Sequence, residues 1–267
     1  MISIITVGFH SEKAMEGLKR CIQDVREPVQ LLFHDNTEHN IGLSKAINIL
    51  IRKAEGDVII LANPDTIFDR NISKMTDFTR FYPMSGAVPI FRGTDVSRRL
   101  PNLIRLLMMA TTLGKTVGRP IKKDYDHPKG DIIEQPGGSF LVLSREAVDL
   151  LMADGYFYDE QFPVFWNDVD LAMRARDDGI NFIKLPIIVR HQGEHSMATV
   201  NQERRMMLFY SRAGLIGFAN KWGFHPRIIK IAFFIDAIVA VIIRMIGRLR
   251  HGGDFKSSIL KFRASLQ

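Results

Sequence analysis

Apolar and polar positions along the first 91 residues follow two periods in turn. Four short runs dominated by Ile, Val and Leu predict buried strands at Ile2–Val7, Val29–His34, Asp57–Ala62 and Ala87–Phe91. Between these runs, apolar residues recur three and four positions apart, which predicts helices over Glu12–Asp24, Leu43–Ala54 and Ile72–Phe81. This alternation predicts an α/β fold with a mostly parallel, doubly wound sheet, whose ligands gather beyond the carboxyl ends of the strands.

The periodicity weakens after Arg92 and returns after Asp131. Pro101–Leu113 has helical spacing, whereas Gly114–Asp131 is rich in basic residues and is predicted to be an excursion or mobile loop over the site. Beyond it, the pattern predicts a strand at Phe140–Leu143, helices from Arg145 to about Ala153 and from about Asp168 to Gly179, and strands at Asn181–Leu185 and Ile187–His191.

Length and composition bound the architecture. With 267 residues, 46% of them hydrophobic, the chain can bury one substantial core and fits a single α/β domain with an appendage. The single cysteine, Cys21, excludes an internal disulfide framework and fits a reducing compartment. Because the sequence starts directly into the first predicted strand, we expect no signal peptide and a cytoplasmic location.

The net charge of +7 is concentrated at the C-terminal end. From Arg227 onward there are eight Lys or Arg and two Asp, interleaved with the apolar runs Ile231–Ile235 and Ala237–Ile243. This arrangement predicts amphipathic helices attracted to an anionic membrane surface rather than a nucleic-acid site. The 13 residues between Lys230 and Arg244 are too few to span a bilayer. The alternative is a helix whose apolar face packs on the domain or on a second subunit.

Two acidic signatures carry the candidate chemistry. Asp65 lies in a turn, Asn-Pro-Asp-Thr, directly after a predicted buried strand, and could deliver a metal ligand to the sheet edge, although this composition also favours a plain turn. Asp168 and Asp170 begin a predicted helix. They diverge by about 200° on a helix, so one is the candidate general base and the other a helix-capping acid. No Gly-x-Gly-x-x-Gly follows the first strand, which disfavours a dinucleotide-binding enzyme.

These two stretches resemble the family 2 glycosyltransferases, especially the rhamnosyltransferase-like branch, in which Asn-Pro-Asp stands at the usual Asp-x-Asp metal motif. The resemblance covers about residues 2–196. It implies a GT-A fold and an inverting mechanism, with Mg²⁺ or Mn²⁺ held by Asp65 and Asp168 as the base. The family usually reads Glu-Asp-Val-Asp-Leu here, whereas this chain has Asn167 in place of the Glu. Arg174 matches the arginine that commonly follows.

The resemblance also assigns further site residues. His191 matches the histidine of a His-x-x-Gly-type loop that completes a metal or diphosphate site, with His195 as the alternative. Asp35 matches an aspartate that reads N3–H of a pyrimidine ring, and an Asx turn is the alternative. The other residues that we expect near donor or acceptor are Thr6, Asn36, Asn40, Gly42, Asn63, Gly138, Asp170 and Arg174. Asn48 matches, with Asn40 and Gly42, a family pattern that shapes the helix opening beside the nucleotide.

The predicted function follows from this resemblance. It is transfer of a sugar, with L-rhamnose from dTDP-rhamnose favoured, to a lipid-diphosphate-linked or oligosaccharide acceptor at the inner face of a membrane. The predicted catalytic domain is 1–200, with a nucleotide-binding half at about 1–91 and an acceptor-binding half at about 132–200, and the tail is 201–267. A metal-dependent hydrolase and a catalytically silent nucleotide-sugar-binding scaffold are the alternatives.

Overall fold

The structure, a computed structural model, describes residues 1–92, 99–112, 132–191 and 201–251. Eight strands of the described residues join one sheet: β1 (Ile2–Gly8), β2 (Val29–Asp35), β3 (Val58–Ala62), β4 (Thr66–Ile67), β5 (Ser85–Arg92), β6 (Ile132–Ile133), β7 (Phe140–Ser144) and β8 (Asn181–His191). Their order is β2-β1-β3-β7-β5-β8-β4, with β6 paired to β8. β1 is parallel to β2 and β3, and β5 is parallel to β8, whereas β7 runs antiparallel between β3 and β5. The sheet is therefore mixed but mostly parallel, as predicted.

Five of the described helices cover the two faces of this sheet. The described helices are α1 (Glu12–Gln23), α2 (Leu43–Ile51), a 3₁₀ turn (Arg70–Ile72), α3 (Ser73–Phe81), α4 (Leu103–Ala110), α5 (Arg145–Leu151), α6 (Asn167–Asp177), α7 (Asn201–Lys221) and α8 (Pro226–His251). On one face Ile4 and Ile60 pack with α1 and α3. On the other, Ile5 and Leu61 pack with α2, α5 and α6. Alternate residues of each strand thus supply two cores, which confirms the doubly wound α/β arrangement.

Several elements differ from the sequence prediction, α4 among them, which is shorter than predicted at both ends. Asn181–His191 is one strand, so the prediction of two strands broken near Pro186 was wrong. Its pairing with β5 shifts register between Val88–Lys184 and Ile90–Ile188. Pro89 and Pro186, which have no N–H to donate, lie in the resulting bulge. α2 ends at Ile51, three residues before the predicted end. β4 and β6, each two residues long, escaped prediction because so short a segment has no readable period.

The chain divides into two compact units. The first comprises residues 1–100 and 125–204 and holds the sheet, and the second comprises 101–124 and 205–267. In the second unit α4 packs against α8, and Asp236 of α8 accepts hydrogen bonds from the Thr112 backbone N–H (2.6 Å) and hydroxyl (3.0 Å). Arg212 stacks 4.8 Å from the Phe233 ring centroid, and burial lowers the pKa of its guanidinium.

One face of α8 is buried and the other is exposed and apolar. Ile229, Phe233 and Ala237 are buried, whereas Ile231 and Ile235 are more than half exposed. None of the described helices combines the length and the apolar character that a bilayer crossing requires. The predicted basic loop at 114–131, His195 and the last residues of the tail lie outside the described residues.

Candidate active site

A cavity of about 270 Å³ opens at the carboxyl ends of β1 and β3. Its apolar floor comes from these strands and from α2, with Ile5, Val7 and Leu61 among its residues. The polar rim comes from the turn after β3, the turn before β7 and the start of α6. The full lining is Ile5, Val7, Leu43, Ile47, Leu61, Ala62, Asn63, Gly138, Ser139, Tyr158, Val164, Phe165, Asn167 and Asp168. Three predicted site residues, Asn63, Gly138 and Asp168, thus meet at one cavity where a doubly wound sheet binds its ligands.

Asp168 presents a carboxylate to this cavity from the first turn of α6. Its Oδ1 accepts a hydrogen bond from the Val169 N–H at 2.9 Å, and its Oδ2 lies 3.4 Å from Gln135 Nε2. A Cβ built on Gly138 would lie 3.5 Å from the Asp168 Cβ, an ordinary van der Waals contact, so this turn runs beside the acid. The helix N-terminus favours the charged form of a carboxylate at this position. The geometry therefore suits a base that works as the anion.

The backbone before Asp168 is held in an unusual conformation. Trp166, buried at the N-cap of α6, has φ of 74°, in the left-handed region that a bulky residue rarely adopts. Asn167 fixes the next step: its Oδ1 accepts from the Asp168 N–H at 2.9 Å, and its Nδ2 donates to Ser44 Oγ at 3.0 Å. The amide that replaces the family's Glu therefore links the start of α6 to the start of α2. Strain of this kind clusters at functional sites.

The start of α2 is joined to the segment before α6. The Leu43 and Ser44 N–H groups donate to the Pro163 carbonyl at 2.7 and 3.2 Å, which satisfies donors at the helix N-terminus. Gly42 has φ of 86°, and a Cβ there would lie 3.2 Å from the Pro163 Cβ. Its N–H donates to Asn40 Oδ1 at 2.9 Å. Asn40 and Gly42 thus shape the helix start that forms one cavity wall, through a turn that only glycine enters without strain.

Asn48, also on α2, fixes the segment that carries Tyr158. The fully buried amide accepts from the Phe157 and Tyr158 N–H groups at 3.0 and 2.9 Å. It donates to the Tyr158 carbonyl at 2.8 Å and to Glu160 Oε1 at 3.2 Å. The Asn48 side chain therefore satisfies the backbone groups of a segment that has no regular hydrogen-bond pattern of its own. It also holds this segment where the Tyr158 ring forms part of the cavity wall.

Asp65 and His191 come together as the sequence analysis expects of metal ligands. β4 pairs with the end of β8 in a register that sets Thr66 opposite His191, and Asp65 Oδ1 lies 3.1 Å from His191 Nε2. Both side chains are largely buried. Asp65 lies in the turn before β4, and His191 is the last residue of β8. The two are neighbours only because β4 and β8 pair.

This pair fits a divalent cation in the chemistry of its donors. A carboxylate oxygen and an imidazole nitrogen are ligands that Mn²⁺ accepts, whereas Mg²⁺ favours oxygen. Among the described residues no third His, Cys, Asp or Glu joins the pair into a larger cluster. The donor set therefore suits a metal whose remaining positions belong to water and to a diphosphate.

The predicted nucleotide residues near β2 occupy turn positions. Asp35 is exposed and accepts from the Thr37 N–H at 2.9 Å, and the hydrogen bonds from Thr37 lower the pKa of its carboxyl. Asn36 is buried, with its Oδ1 3.2 Å from the Ile41 N–H. Thr6 is buried on β1 beside Ile5 and Val7, which line the cavity, so its side chain points to the opposite sheet face. None of these side chains is in the cavity lining.

Asp170 and Arg174 form a buried ion pair behind the cavity. Asp170 is fully buried, and Arg174 Nε lies 3.2 Å from its Oδ2. Arg174 also donates to the carbonyls of Leu151 and Phe157 and stacks 5.0 Å from the Tyr156 ring centroid. The structure thus separates the two aspartates of α6 as their spacing predicts: Asp168 faces the cavity, and Asp170 pairs with Arg174, which ties α6 to the end of α5 and the segment after it.

Several contributors have no sequence signal. Tyr158 and Ser139 line the cavity and Gln135 approaches Asp168, although none belongs to a recognisable motif. Asn48 carries a signal only through the family pattern, which does not say what its amide binds.

Comparisons with known proteins bear on the fold. No family model matches the chain, and none of the curated proteins matches it. The mannosyltransferase PcManGT from Pyrobaculum calidifontis, solved with GDP-Man and Mn²⁺, aligns over 99% of this chain and 84% of its own, with a TM-score of 0.50 and 13% identity. The chain has a GT-A fold. At this identity the likeness concerns the fold alone.

S. aureus TarS is a second structural neighbour. TarS 1–349 aligns over 80% of this chain with a TM-score of 0.46 and 12% identity, and its complex with UDP-GlcNAc aligns over 78% with a TM-score of 0.47 and 14% identity. The chain spans 64% of the length of TarS 1–349 in the first comparison and 66% in the second.

Proposed function

We propose that the chain is an inverting glycosyltransferase that moves a sugar from a nucleotide diphosphate to an acceptor hydroxyl. The observation that carries this proposal is the position of Asp168. Its carboxylate stands at a helix N-terminus and lines a cavity at the carboxyl ends of β1 and β3. The fold shared with a sugar-nucleotide-dependent mannosyltransferase adds support.

The proposed reaction needs one base. The acceptor oxygen attacks the anomeric carbon while the bond from that carbon to the diphosphate oxygen breaks, and the acceptor proton passes to Asp168. Both carboxylate oxygens already accept hydrogen bonds, Oδ1 from the Val169 N–H and Oδ2 from Gln135 Nε2, which hold the carboxylate in place for this step. A single displacement inverts the anomeric configuration, and the nucleotide diphosphate leaves with the bonding electrons.

Asp65 and His191 would hold Mg²⁺ or Mn²⁺ in this enzyme. The cation, when bound, neutralises charge on the departing diphosphate. Asn63 lies two residues before Asp65 and lines the cavity, and its N–H donates to the Ser139 carbonyl at 2.8 Å. We place the sugar between this turn and Asp168, so that the diphosphate faces the metal pair.

The donor that we favour is dTDP-L-rhamnose or another pyrimidine-nucleotide sugar. The family motifs at Asp65 and Asp168 motivate this choice, and Asp35 is the residue assigned to the pyrimidine. The apolar floor formed by Ile5, Val7 and Leu61 adds support, because it suits the methyl group of a 6-deoxysugar. PcManGT was solved with GDP-Man, which carries a purine nucleotide. The test of donor preference therefore includes GDP-mannose beside the pyrimidine donors.

The acceptor that we favour is a lipid-diphosphate-linked sugar, with α8 as the element that contacts the membrane surface. Ile228, Ile231, Ile235, Ile238 and Ile242 are exposed on one face of this helix. Arg227 and Lys230, exposed in its first turns, suit anionic headgroups. The enzyme would then act from the cytoplasmic side as a peripheral protein.

Vesicle sedimentation tests this assignment. We expect the full chain to sediment with vesicles of phosphatidylglycerol and phosphatidylcholine, and Ile231→Asp/Ile235→Asp to abolish sedimentation. Lys74→Asp, an exposed change outside α8, serves as the matched control. If the double variant sediments like the wild type, this face of α8 is not the membrane contact. If neither protein binds vesicles and the variant is a monomer where the wild type is a dimer, a second subunit covers this face instead.

Product analysis tests the proposed function itself. The purified chain is incubated with Mn²⁺ and with dTDP-rhamnose, UDP-glucose or GDP-mannose, with and without a polyprenyl-diphosphate-linked sugar. We expect an acceptor-dependent glycosylated product from one donor. Release of free sugar or phosphate at the same rate without acceptor would instead identify a hydrolase. Nucleotide binding without any product would identify a silent binding protein.

A further inference from the structure

Tyr158 places a phenol in the cavity wall. The side chain is 4% exposed and lines the cavity together with Asp168. Among the described residues none hydrogen-bonds its hydroxyl. The buried side-chain atoms that lack a partner in the described part of the chain are Thr6 Oγ1 and His34 Nε2. The Tyr158 hydroxyl is not one of these orphan atoms, so it keeps contact with the cavity that the residue lines, and a ligand there can accept its hydrogen bond.

The ring is fixed before any ligand arrives. Asn48 holds the Tyr158 N–H at 2.9 Å and its carbonyl at 2.8 Å from within α2. The Phe157 ring packs at 5.0 Å from the Tyr158 ring centroid. The hydroxyl therefore meets a ligand with its position already set, which lowers the entropy lost when the hydrogen bond forms.

The protonation state suits a donor. Burial, and after it the negative charge of Asp168, raise the pKa of the Tyr158 phenol above its ordinary value. The phenol thus stays protonated across the pH range in which Asp168 must be a carboxylate to act as base. The two groups offer one hydrogen-bond donor and one proton acceptor to the same cavity.

We propose that Tyr158 is a specificity-determining residue, whose hydroxyl donates a hydrogen bond to a ring hydroxyl of the donor sugar. This inference rests on the proposed function, which places the sugar between the Asn63 turn and Asp168. The floor from β1 and β3 is apolar, so the phenol, together with the polar rim at Asn63, Ser139 and Asn167, can distinguish sugars by where they carry a hydroxyl. A site built to hydrogen-bond a substrate hydroxyl strongly rejects the analogue that lacks it.

Equilibrium binding with Tyr158→Phe tests the inference, since this change removes the hydroxyl and keeps the ring. Calorimetry compares dTDP-rhamnose with dTDP, UDP-glucose with UDP, and GDP-mannose with GDP. For the sugar nucleotide that the wild type binds, we expect the variant to lose about tenfold in affinity, about one neutral hydrogen bond. We expect its affinity for the bare diphosphate to stay the same. Tyr156→Phe, whose ring stacks on Arg174 outside the cavity, is the matched control.

A second readout separates binding from simple damage. Monodeoxy analogues of the bound donor should reveal one ring position at which the wild type discriminates and Tyr158→Phe does not. Equal affinities of wild type and variant for the sugar nucleotide would overturn the inference and leave the proposed function standing. If the wild type binds none of the three sugar nucleotides, the inference and the proposed function fall together. Unchanged thermal midpoints in both variants establish that the fold is intact.

Discussion

Asn48→Ala tests the claim that one buried amide holds the segment that builds the cavity wall. The wild-type side chain satisfies the N–H groups of Phe157 and Tyr158 and the carbonyl of Tyr158, all buried, and also contacts Glu160. Alanine satisfies none of them. A buried polar group left without a partner costs about 1–3 kcal/mol, so three such groups predict a loss of about 3 kcal/mol or more.

Thermal unfolding measures this loss directly. For a chain of this size, about 3 kcal/mol corresponds to a fall of about 6–12 °C in the unfolding midpoint. Asn71→Ala is the matched control: Asn71 is exposed and its amide donates only to Asp69 at 3.1 Å, so we expect a shift of less than about 2 °C. A midpoint for Asn48→Ala within that range would refute the argument, because it would mean that the 157–160 segment is held by other contacts.

Three further predictions concern charged groups. Asp170→Asn should destabilise the chain by about 3 kcal/mol in urea unfolding, because it leaves Arg174 buried without its counter-ion. Arg80 hydrogen-bonds Asp57 and lowers the pKa of that carboxyl, so the stability it adds is present above the unfolded pKa of about 4 and is lost as pH falls below it. The thermal midpoint should therefore fall less steeply below pH 4 in Arg80→Ala than in the wild type. His191→Ala should lower by about tenfold or more the Mn²⁺-dependent gain in affinity for a nucleotide diphosphate, measured by calorimetry.

Each of these variants has an exposed counterpart in the chain. For Asp170→Asn it is Asp177→Asn, which breaks a surface pair with Arg176. For Arg80→Ala it is Arg20→Ala, which breaks a surface contact of 3.9 Å with Glu16, and for His191→Ala it is His39→Ala, which removes an exposed imidazole. The arguments fail if a variant and its counterpart give the same result, since the predicted magnitudes depend on the partners that each side chain has.

The fold was predictable where a pattern repeats over enough residues. The first three strands carry continuous apolar runs, and α1 carries apolar residues at helical spacing, so their limits agree with the structure within one or two residues. Pro186 produced the opposite result. From the sequence, a proline in an apolar run indicates that one strand ends and another begins. In the structure β8 continues through Pro186, and the sheet accommodates this proline in a bulge opposite Pro89.

The candidate site was predictable only in part, because its remaining features depend on long-range contacts. The spacing of Asp168 and Asp170 correctly predicts that they diverge. Nothing in sequence says that Asp170 meets Arg174 in a buried pair, or that Asn48 holds residues more than 100 positions away. Tyr158 belongs to no motif, and its role depends on its position in the cavity wall, which the hydrogen bonds from Asn48 set.

The most direct test of the central claim is the rate of sugar transfer by Asp168→Asn, measured with the donor that product analysis identifies. Asparagine keeps the size of the side chain but cannot take the acceptor proton. We expect kcat to fall by about 10²- to 10⁴-fold, while the donor Kd stays within about threefold. Wild-type turnover in this variant would contradict the account, because it would remove Asp168 as the base and with it the main reason to place the reaction in this cavity.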